Sequence, residues 1–222
     1  MSIELKTKRY FLFDLDGTLV DSSLSHEKAY IRALSDNYPD LASAFWYENW
    51  KGYKTLEVFK ALGVSDDKAA CLLTEAKQRY YLDEIDAGAV KSIPFAADVL
   101  QTLRNLGCRC FLVTSASRRS AQAILKHLSL DGFFDLIVTG DEVQSAKPAP
   151  DCYLRCIHDA KIATEFSVAV EDARAGVASA RSAGLSVIAV NNEALRDEDG
   201  YMEDLLQLQA ALTKLLTNNL AS

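Results

Sequence analysis

Two aspartates follow the first apolar segment of the sequence at a spacing that indicates a cation site. In YFLFDLDGTLV, Asp14 and Asp16 come directly after the strand-like residues 10–13, and Gly17 follows them. Like charges two positions apart repel each other when partly buried, and a buried carboxylate is costly unless something compensates its charge. A bound cation would compensate both carboxylates.

Three further polar stretches also follow or flank strand-like segments. They contain Thr114 and Ser115 in LVTSAS, Lys147 in SAKPAPD, and Glu171 and Asp172 in VAVEDARAG. Because ligands bind at the carboxyl ends of strands in open α/β sheets, we expect these stretches to meet Asp14 and Asp16 in one crevice. The acids suit Mg²⁺, which often bridges to a substrate phosphate. The lysine and the hydroxyls would donate hydrogen bonds to phosphate oxygens.

The leading pair of aspartates is suited to covalent phosphoryl transfer. A carboxylate beside a metal ion and a phosphate can act as the nucleophile and form an aspartyl-phosphate. Asp14 is the candidate nucleophile, with the cation and Lys147 offsetting the repulsion between anions. Asp16 is the candidate acid–base partner, which protonates the leaving oxygen and later deprotonates water. These roles require the two carboxyl groups to have different pKa values.

Strand-like and helical segments alternate along most of the chain, and this alternation predicts an α/β fold. The strand-like segments are residues 10–13, 108–113, 136–138, 167–170 and 186–190. Helical patterns cover residues 96–106, 119–127, 150–161, 175–183 and 201–216. Parallel strands need such crossover connections, so we expect a Rossmann-like, doubly wound parallel sheet.

Residues 21–93 depart from this alternation. They contain no convincing strand, and their patterns predict helices at roughly 24–36, 40–50, 54–62 and 66–82. The segment is too long for a crossover connection. We therefore expect an inserted all-helical cap domain at 21–93, lying over the site, and a discontinuous α/β core domain formed by 1–20 and 94–222. Within the cap, Lys77 and Arg79 are expected on a solvated helix face.

Composition restricts the possible partners. The chain has 222 residues, is 49% hydrophobic and carries a formal net charge of −7, which argues against general nucleic-acid binding. No apolar run approaches membrane-spanning length, and the apolar stretch near the N-terminus is too short for a signal peptide. We expect a cytoplasmic protein with no nucleic-acid, membrane or protein partner. The five cysteines are expected to be reduced thiols rather than zinc ligands.

The four motifs resemble those of the haloacid dehalogenase (HAD) superfamily, in the phosphatase branch that includes phosphoglycolate phosphatases and β-phosphoglucomutase-like proteins. DLDGTLVDS, LVTSAS, GDEVQSAKPAPDCYL and VAVEDARAGVASARSAG occur in order and span nearly the whole chain. The resemblance implies a Mg²⁺-dependent phosphatase that hydrolyses a small phosphorylated metabolite through an aspartyl-phosphate. The dehalogenases of the superfamily lack the second aspartate of the first motif, which this chain has.

The resemblance also implies roles for individual residues. Asp14 would be the nucleophile and a metal ligand, and Asp16 the general acid/base and a backbone metal ligand. Asp172 would bind Mg²⁺ with Glu171 assisting. Lys147 would bind the transferring phosphoryl group together with the side chain of Thr114 or Ser115. The second motif can be read in two registers, and the position at the strand end favours Thr114.

A sugar phosphomutase is the main alternative, because it resembles the phosphatases in every core motif. His26 lies near the start of the cap, where mutases and many sugar phosphatases carry a histidine. WKGYKTLE, with Gly52 and Lys54, resembles the cap loop that contacts the substrate. In the mutase pattern an arginine follows the loop glycine, whereas this chain has Lys54 and Thr55. This difference favours the phosphatase.

A second alternative, from a different class, is a non-catalytic phosphate-binding regulatory protein. Such a protein would be expected to lack Asp14 or Asp16, and this chain has both. Arg118, at a helix start after the second motif, is a further candidate contact for a substrate anion, because a cation is poorly placed at a helix N-terminus unless an anion accompanies it.

Overall fold

The computed structural model describes residues 3–220 and contains a parallel five-stranded sheet. In chain order the strands are β1 (Tyr10–Phe13), β2 (Val20–Asp21), β3 (Lys91–Ser92), β4 (Arg109–Val113), β5 (Leu136–Val138), β6 (Ser167–Glu171) and β7 (Ser186–Ala189). The parallel sheet has the order β5-β4-β1-β6-β7, and β2 pairs with β3 in a separate antiparallel ribbon. β1 lies at the centre, with Phe13 paired to Leu112 on one side and Val170 on the other.

Helices cover both faces of the parallel sheet. In chain order the helices are α1 (Ser23–Ser35), α2 (Pro39–Ala44), α3 (Thr55–Ala61), α4 (Asp67–Asp86), α5 (Ala96–Asn105), α6 (Arg118–His127), α7 (Asp151–Ala160), α8 (Arg174–Ser182) and α9 (Leu205–Leu220). Phe11 and Phe13 of β1 pack with α5, α6 and α9, whereas Leu12 packs with α7 and α8 on the other face. Because the sheet is buried on both faces, its strands are continuous apolar runs. The predicted doubly wound α/β fold is confirmed.

The helices α1 to α4 lie between β2 and β3 in the chain and form the helical cap. They have an apolar core of their own, in which the Tyr30 ring packs against Phe45 and Phe59 at centroid distances of 4.6 and 5.3 Å. Val20 pairs with Ser92, so the chain enters and leaves the cap through adjacent strands. The helical insertion is as expected, and the domain division at residues 20 and 94 stays a prediction.

Two details of the predicted cap are wrong. The helix expected at 40–50 ends at Ala44, because Phe45 has an extended backbone (φ −71°, ψ 131°), and a 3₁₀ turn follows at Tyr47–Trp50. The ribbon of β2 and β3 was not expected, since strands of two residues carry no periodic pattern. Within residues 3–220, no helix combines the length and the apolar character that crossing a bilayer requires.

Candidate active site

The ammonium group of Lys147 joins the carboxyl ends of the three central strands. Its Nζ lies 2.5 Å from Asp14 Oδ1, 2.6 Å from Glu171 Oε1 and 2.9 Å from Val113 O. Asp14 follows β1, Glu171 ends β6 and Val113 ends β4, so register in the sheet brings the three acceptors together. Lys147 is only 1% exposed, and its charge is compensated by two buried carboxylates. Tyr153, a residue that was not predicted to belong to the site, donates to Glu171 Oε1 at 2.5 Å.

Three buried carboxylates form a cluster that could hold a divalent cation. Asp14, Glu171 and Asp172 each offer a carboxylate oxygen, and these oxygens lie within 4.8 Å of one another. Gly17 lets the backbone approach this cluster: it has φ +88°, and a Cβ there would lie 2.0 Å from Asp172 Oδ2. Donors that are all oxygen match the preference of Mg²⁺. We call Asp14, Glu171, Asp172 and Lys147 the floor of the site.

Burial dominates the electrostatics of the floor. Removal from water is the main cause that raises the pKa values of Asp14 and Asp172 above the usual value for aspartate. The neighbouring Glu171 raises both pKa values further, whereas Lys147 lowers them. A dication among these groups would favour their ionised forms, because opposite charges a few ångströms apart stabilise each other strongly in a buried site. The charge on the floor therefore fits a metal ion.

Asp16 has a separate set of partners, and these come from the cap. Its Oδ1 accepts hydrogen bonds from Ser22 Oγ at 2.6 Å and Tyr81 OH at 3.1 Å, and lies 3.1 Å from His26 Nε2. Burial opposes ionisation of Asp16, but the contacts with His26 and Ser22 lower its pKa below the usual value. His26 itself is neutral near pH 7, because burial lowers its pKa to about 4. The donors therefore keep Asp16 ionised.

Lys77 belongs to the cap helix α4 and is buried next to His26. The prediction that it lies on a solvated helix face is wrong. Lys77 is 4% exposed, and its Nζ lies 2.7 Å from His26 Nδ1. The Nζ also lies 4.8 and 4.7 Å from the ring centroids of Tyr30 and Tyr81. Burial lowers the pKa of Lys77 to about 7. Arg79, in contrast, is exposed as predicted.

A periodic pattern in α4 could have identified Lys77. The buried positions of this helix recur every three or four residues: Ala70, Leu73, Lys77, Tyr81 and Ile85. Such spacing marks one face of a helix. The lysine lies in the middle of the buried stripe, where a charged residue is rare unless it has a partner or a function.

The loop between the 3₁₀ turn and α3 brings the cap onto the core. Ser115 Oγ donates to Gly52 O at 2.6 Å, and Lys54 Nζ donates to Val143 O and Gln144 O at 2.9 and 3.2 Å. Lys51 Nζ lies 3.7 Å from Asp172 Oδ2. Gly52 and Lys54 thus line the cleft, and their contact with substrate stays a prediction. Lys51 is a further neighbour that was not singled out from the sequence.

The residues predicted from the second motif divide into two groups. Thr114 and Ser115 line the cleft, and the Thr114 hydroxyl oxygen accepts a hydrogen bond from the backbone N–H of Ala116 at 3.0 Å. The guanidinium of Arg118 instead donates to Ile137 O at 2.7 Å and to the Glu142 carboxylate. Arg118 is absent from the lining of the cleft as far as residues 3–220 define it.

The cleft between core and cap has an empty volume of about 990 Å³, including its open mouth. We call the cap side of this cleft the roof. Its lining is rich in hydroxyl groups and consists of His26, Tyr30, Tyr47, Gly52, Tyr53, Lys54, Thr55, Leu56, Thr74, Lys77, Gln78 and Tyr81. Hydroxyl, amide and ammonium groups suit a polar ligand. The cleft is thus acidic at the floor and polar at the roof.

A family model described as haloacid dehalogenase-like hydrolase matches residues 11–190. The chain belongs to this family. HAD-like relatives include the protein CbbY of Rhodobacter capsulatus, which is 32% identical with 96% of this chain and 98% of the relative covered. Hexitol phosphatase A of Escherichia coli (strain K12) is 34% identical, with 89% and 92% covered.

Solved structures of HAD-like proteins share the fold. A β-phosphoglucomutase from Clostridium difficile superposes with a TM-score of 0.79 over 96% of this chain and 99% of that chain, at 22% identity. An identity this low supports a shared fold and says nothing of a shared reaction. The family predicted from the four motifs is confirmed.

Proposed function

We propose that the chain is a Mg²⁺-dependent phosphoric monoester hydrolase that acts on a small phosphorylated sugar or polyol through an aspartyl-phosphate on Asp14. The observation that carries the proposal is the position of Asp14. Its carboxylate lies at the bottom of a polar cleft, 2.5 Å from the ammonium of Lys147 and beside Glu171 and Asp172. The phosphatase activity in the name of the relative hexitol phosphatase A supports the same reaction class.

The first chemical step is attack by a carboxylate oxygen of Asp14 on phosphorus. The bond from phosphorus to the ester oxygen breaks, and Asp16 gives its proton to the leaving alcohol. Lys147, held by Glu171 at 2.6 Å, stabilises the negative charge on the phosphoryl oxygens. Thr114 and Ser115 would donate hydroxyl hydrogen bonds to the same oxygens. Mg²⁺, when bound by Asp14, Asp172 and Glu171, supplies further charge neutralisation.

In the second step, water attacks the phosphorus of the aspartyl-phosphate while Asp16 takes its proton. The bond from phosphorus to the Asp14 oxygen breaks, and inorganic phosphate is released. The ionised resting state of Asp16, held by Ser22, His26 and Tyr81, suits this step directly. The first step needs the protonated form, and a phosphate dianion arriving beside Asp16 would raise its pKa because like charges disfavour ionisation. Substrate binding thus prepares Asp16 as an acid, and transfer of its proton to the leaving alcohol makes it the carboxylate base of the second step.

The test is hydrolysis of p-nitrophenyl phosphate and a panel of sugar and polyol phosphates, with Mg²⁺ or with EDTA. We expect turnover that requires Mg²⁺. Asp14→Asn should abolish it, because an amide is a poor nucleophile. Asp131→Asn, an exposed aspartate in a 3₁₀ turn away from the cleft, is the matched control and should keep the wild-type rate.

Three outcomes would contradict the proposal. A near-normal rate in Asp14→Asn would remove the covalent route. An isomerised sugar phosphate in place of alcohol and inorganic phosphate would indicate a mutase. No turnover of any ester, with inorganic phosphate still bound, would indicate the regulatory alternative.

A further inference from the structure

The loop after β7 is hydrogen-bonded to both of the loops that carry the proposed metal ligands. Asn191 Nδ2 donates to Gly17 O at 2.9 Å and to Thr18 O at 3.1 Å, and both carbonyls lie in the turn between β1 and β2. Asn192 Nδ2 donates to Asp172 O at 2.7 Å. Two neighbouring amide side chains therefore tie the turn after β1 to the loop after β6.

The backbone at Asn191 is suited to this double contact. It has the left-handed conformation, with φ +57°, which asparagine adopts more readily than most residues other than glycine. Successive side chains of an extended chain point to opposite sides, and a left-handed residue interrupts that alternation. The amide of Asn192 is fixed at its other end as well, because its Oδ1 accepts from Ala194 N at 3.0 Å.

The two loops that these amides tie together are also in direct contact with each other. A Cβ at Gly17 would lie 2.0 Å from Asp172 Oδ2, and Thr18 Oγ1 donates to Asp172 Oδ1 at 3.4 Å. The carboxylates of Asp14 and Asp172 belong to the cluster whose oxygens lie within 4.8 Å of one another. A shift of either loop would therefore change the spacing of the carboxylate oxygens.

That spacing affects which divalent cation fits the floor. Mg²⁺ takes oxygen ligands at about 2.0–2.1 Å in a nearly octahedral arrangement, whereas Ca²⁺ accepts about 2.3–2.6 Å and a variable geometry. A site for Mg²⁺ therefore needs its ligand-bearing loops held more rigidly than a site for Ca²⁺. Groups that orient metal ligands from outside typically contribute about 10- to 100-fold to metal affinity.

We propose that Asn191 and Asn192 are positioning residues that hold the two loops at the separation Mg²⁺ requires, and so favour Mg²⁺ over the larger Ca²⁺. The inference rests on the proposed function, because it takes Asp14 and Asp172 as metal ligands. Neither asparagine is among the residues that line the cleft, as far as residues 3–220 define it. Both act through the backbone of the loops and not by contact with substrate.

Isothermal titration calorimetry with Mg²⁺ or Ca²⁺, in the absence of substrate, tests this role. Asn191→Gly keeps a residue that adopts the left-handed backbone and removes only the amide. We expect its Mg²⁺ affinity to fall about tenfold and its Ca²⁺ affinity to change by less than about threefold. Asn192→Ser should behave in the same way, because serine can still cap the following turn but is too short to replace the amide donor.

Turnover of p-nitrophenyl phosphate gives a second measurement. The Mg²⁺ concentration for half-maximal rate should rise about tenfold in both variants, whereas kcat at saturating Mg²⁺ should approach that of the wild type. The matched control is Asn37→Gly, which changes an exposed asparagine that follows α1. This control should match the wild type in both titrations and in turnover.

Equal losses of Mg²⁺ and Ca²⁺ affinity would overturn the inference, because the asparagines would then not discriminate between the cations. A lower Tm with both affinities unchanged would also overturn it, since the two side chains would then only stabilise the loop. Absence of Mg²⁺ binding in the wild type would instead contradict the proposed function, on which the inference rests.

Discussion

Lys147 is the buried cation of the floor and contacts both Asp14 and Glu171, so its removal should lower the stability of the fold. Loss of one partner from a buried ion pair typically costs about 3–5 kcal/mol, because the other charges stay buried without compensation. Lys147→Met keeps the length of the side chain but leaves Asp14 and Glu171 facing each other. We expect the free energy of unfolding in urea to fall by about that amount.

The control for this prediction is Lys68→Met, which removes an exposed lysine with the same change of side chain and should cost little. Mg²⁺ should raise the unfolding midpoint more in Lys147→Met than in the wild type, because a dication can replace the missing positive charge among the carboxylates. Equal stability of Lys147→Met and the wild type would show that the floor tolerates uncompensated acids.

Replacement of Lys77 should raise the stability of the fold, in contrast to replacement of Lys147. Burial lowers the pKa of Lys77 from 10.5 to about 7, so the folded state binds fewer protons than the unfolded state between these pH values. The contribution of Lys77 to the free energy of unfolding therefore rises with pH across that window and is lowest at and below pH 7. Lys77→Met removes the penalty, and we expect a higher Tm than the wild type at pH 6 to 7 and a smaller difference at pH 10. Parallel Tm curves against pH would contradict this.

Among the elements, the strands of the parallel sheet could be predicted from the sequence, because the apolar patterns that indicate them are local. A strand buried on both faces is a continuous apolar run, as residues 10–13 of β1 and residues 168–170 of β6 are. Their ends carry the polar residues of the floor. The hydrogen-bond partners of Asp16 were harder to predict from the sequence, because Ser22, His26 and Tyr81 reach it only through the packing of the cap helices. The ribbon of β2 and β3 is too short to leave a pattern.

The cap loop contains a lysine that contacts one of the carboxylates proposed to bind Mg²⁺, so we expect the two cations to compete for it. Lys51 Nζ lies 3.7 Å from Asp172 Oδ2, and the side chain is 19% exposed. A cation at Asp172 would be repelled by this ammonium group and would have to replace its contact. We expect Lys51→Met to bind Mg²⁺ about fivefold more tightly, since a partly exposed ion pair contributes up to about 1 kcal/mol.

Isothermal titration calorimetry with Mg²⁺ and no substrate measures this affinity directly and does not depend on turnover. The matched control is Lys60→Met, because Lys60 is an exposed lysine of α3 that pairs with Asp67. Its Mg²⁺ affinity should equal that of the wild type. Weaker binding in Lys51→Met would mean that Lys51 supports the metal site instead of competing with it.

For the molecule as a whole, the two proposed catalytic aspartates depend on different parts of the structure. Asp14 is held by Lys147 of the core, whereas Asp16 is held by Ser22, His26 and Tyr81 of the cap. Movement of the cap away from the core would therefore disturb the acid–base residue and leave the nucleophile in place. We therefore expect closure of the cap to be coupled to the proton transfers proposed for Asp16.

Lys54 is the clearest side-chain link that holds the cap against the core, through its bonds to Val143 O and Gln144 O. Hydrogen bonds from charged groups are worth about 1.5–3 kcal/mol, so Lys54→Met should make cap opening roughly tenfold more frequent. Hydrogen exchange followed by mass spectrometry should show faster exchange in residues 50–61 and unchanged exchange in β1 and β6. Lys60 lies in α3, the helix that Lys54 precedes, and its ammonium contacts Asp67, so Lys60→Met should exchange like the wild type. Unchanged exchange in Lys54→Met would mean that the Ser115 to Gly52 hydrogen bond and apolar packing are enough to keep the cap closed.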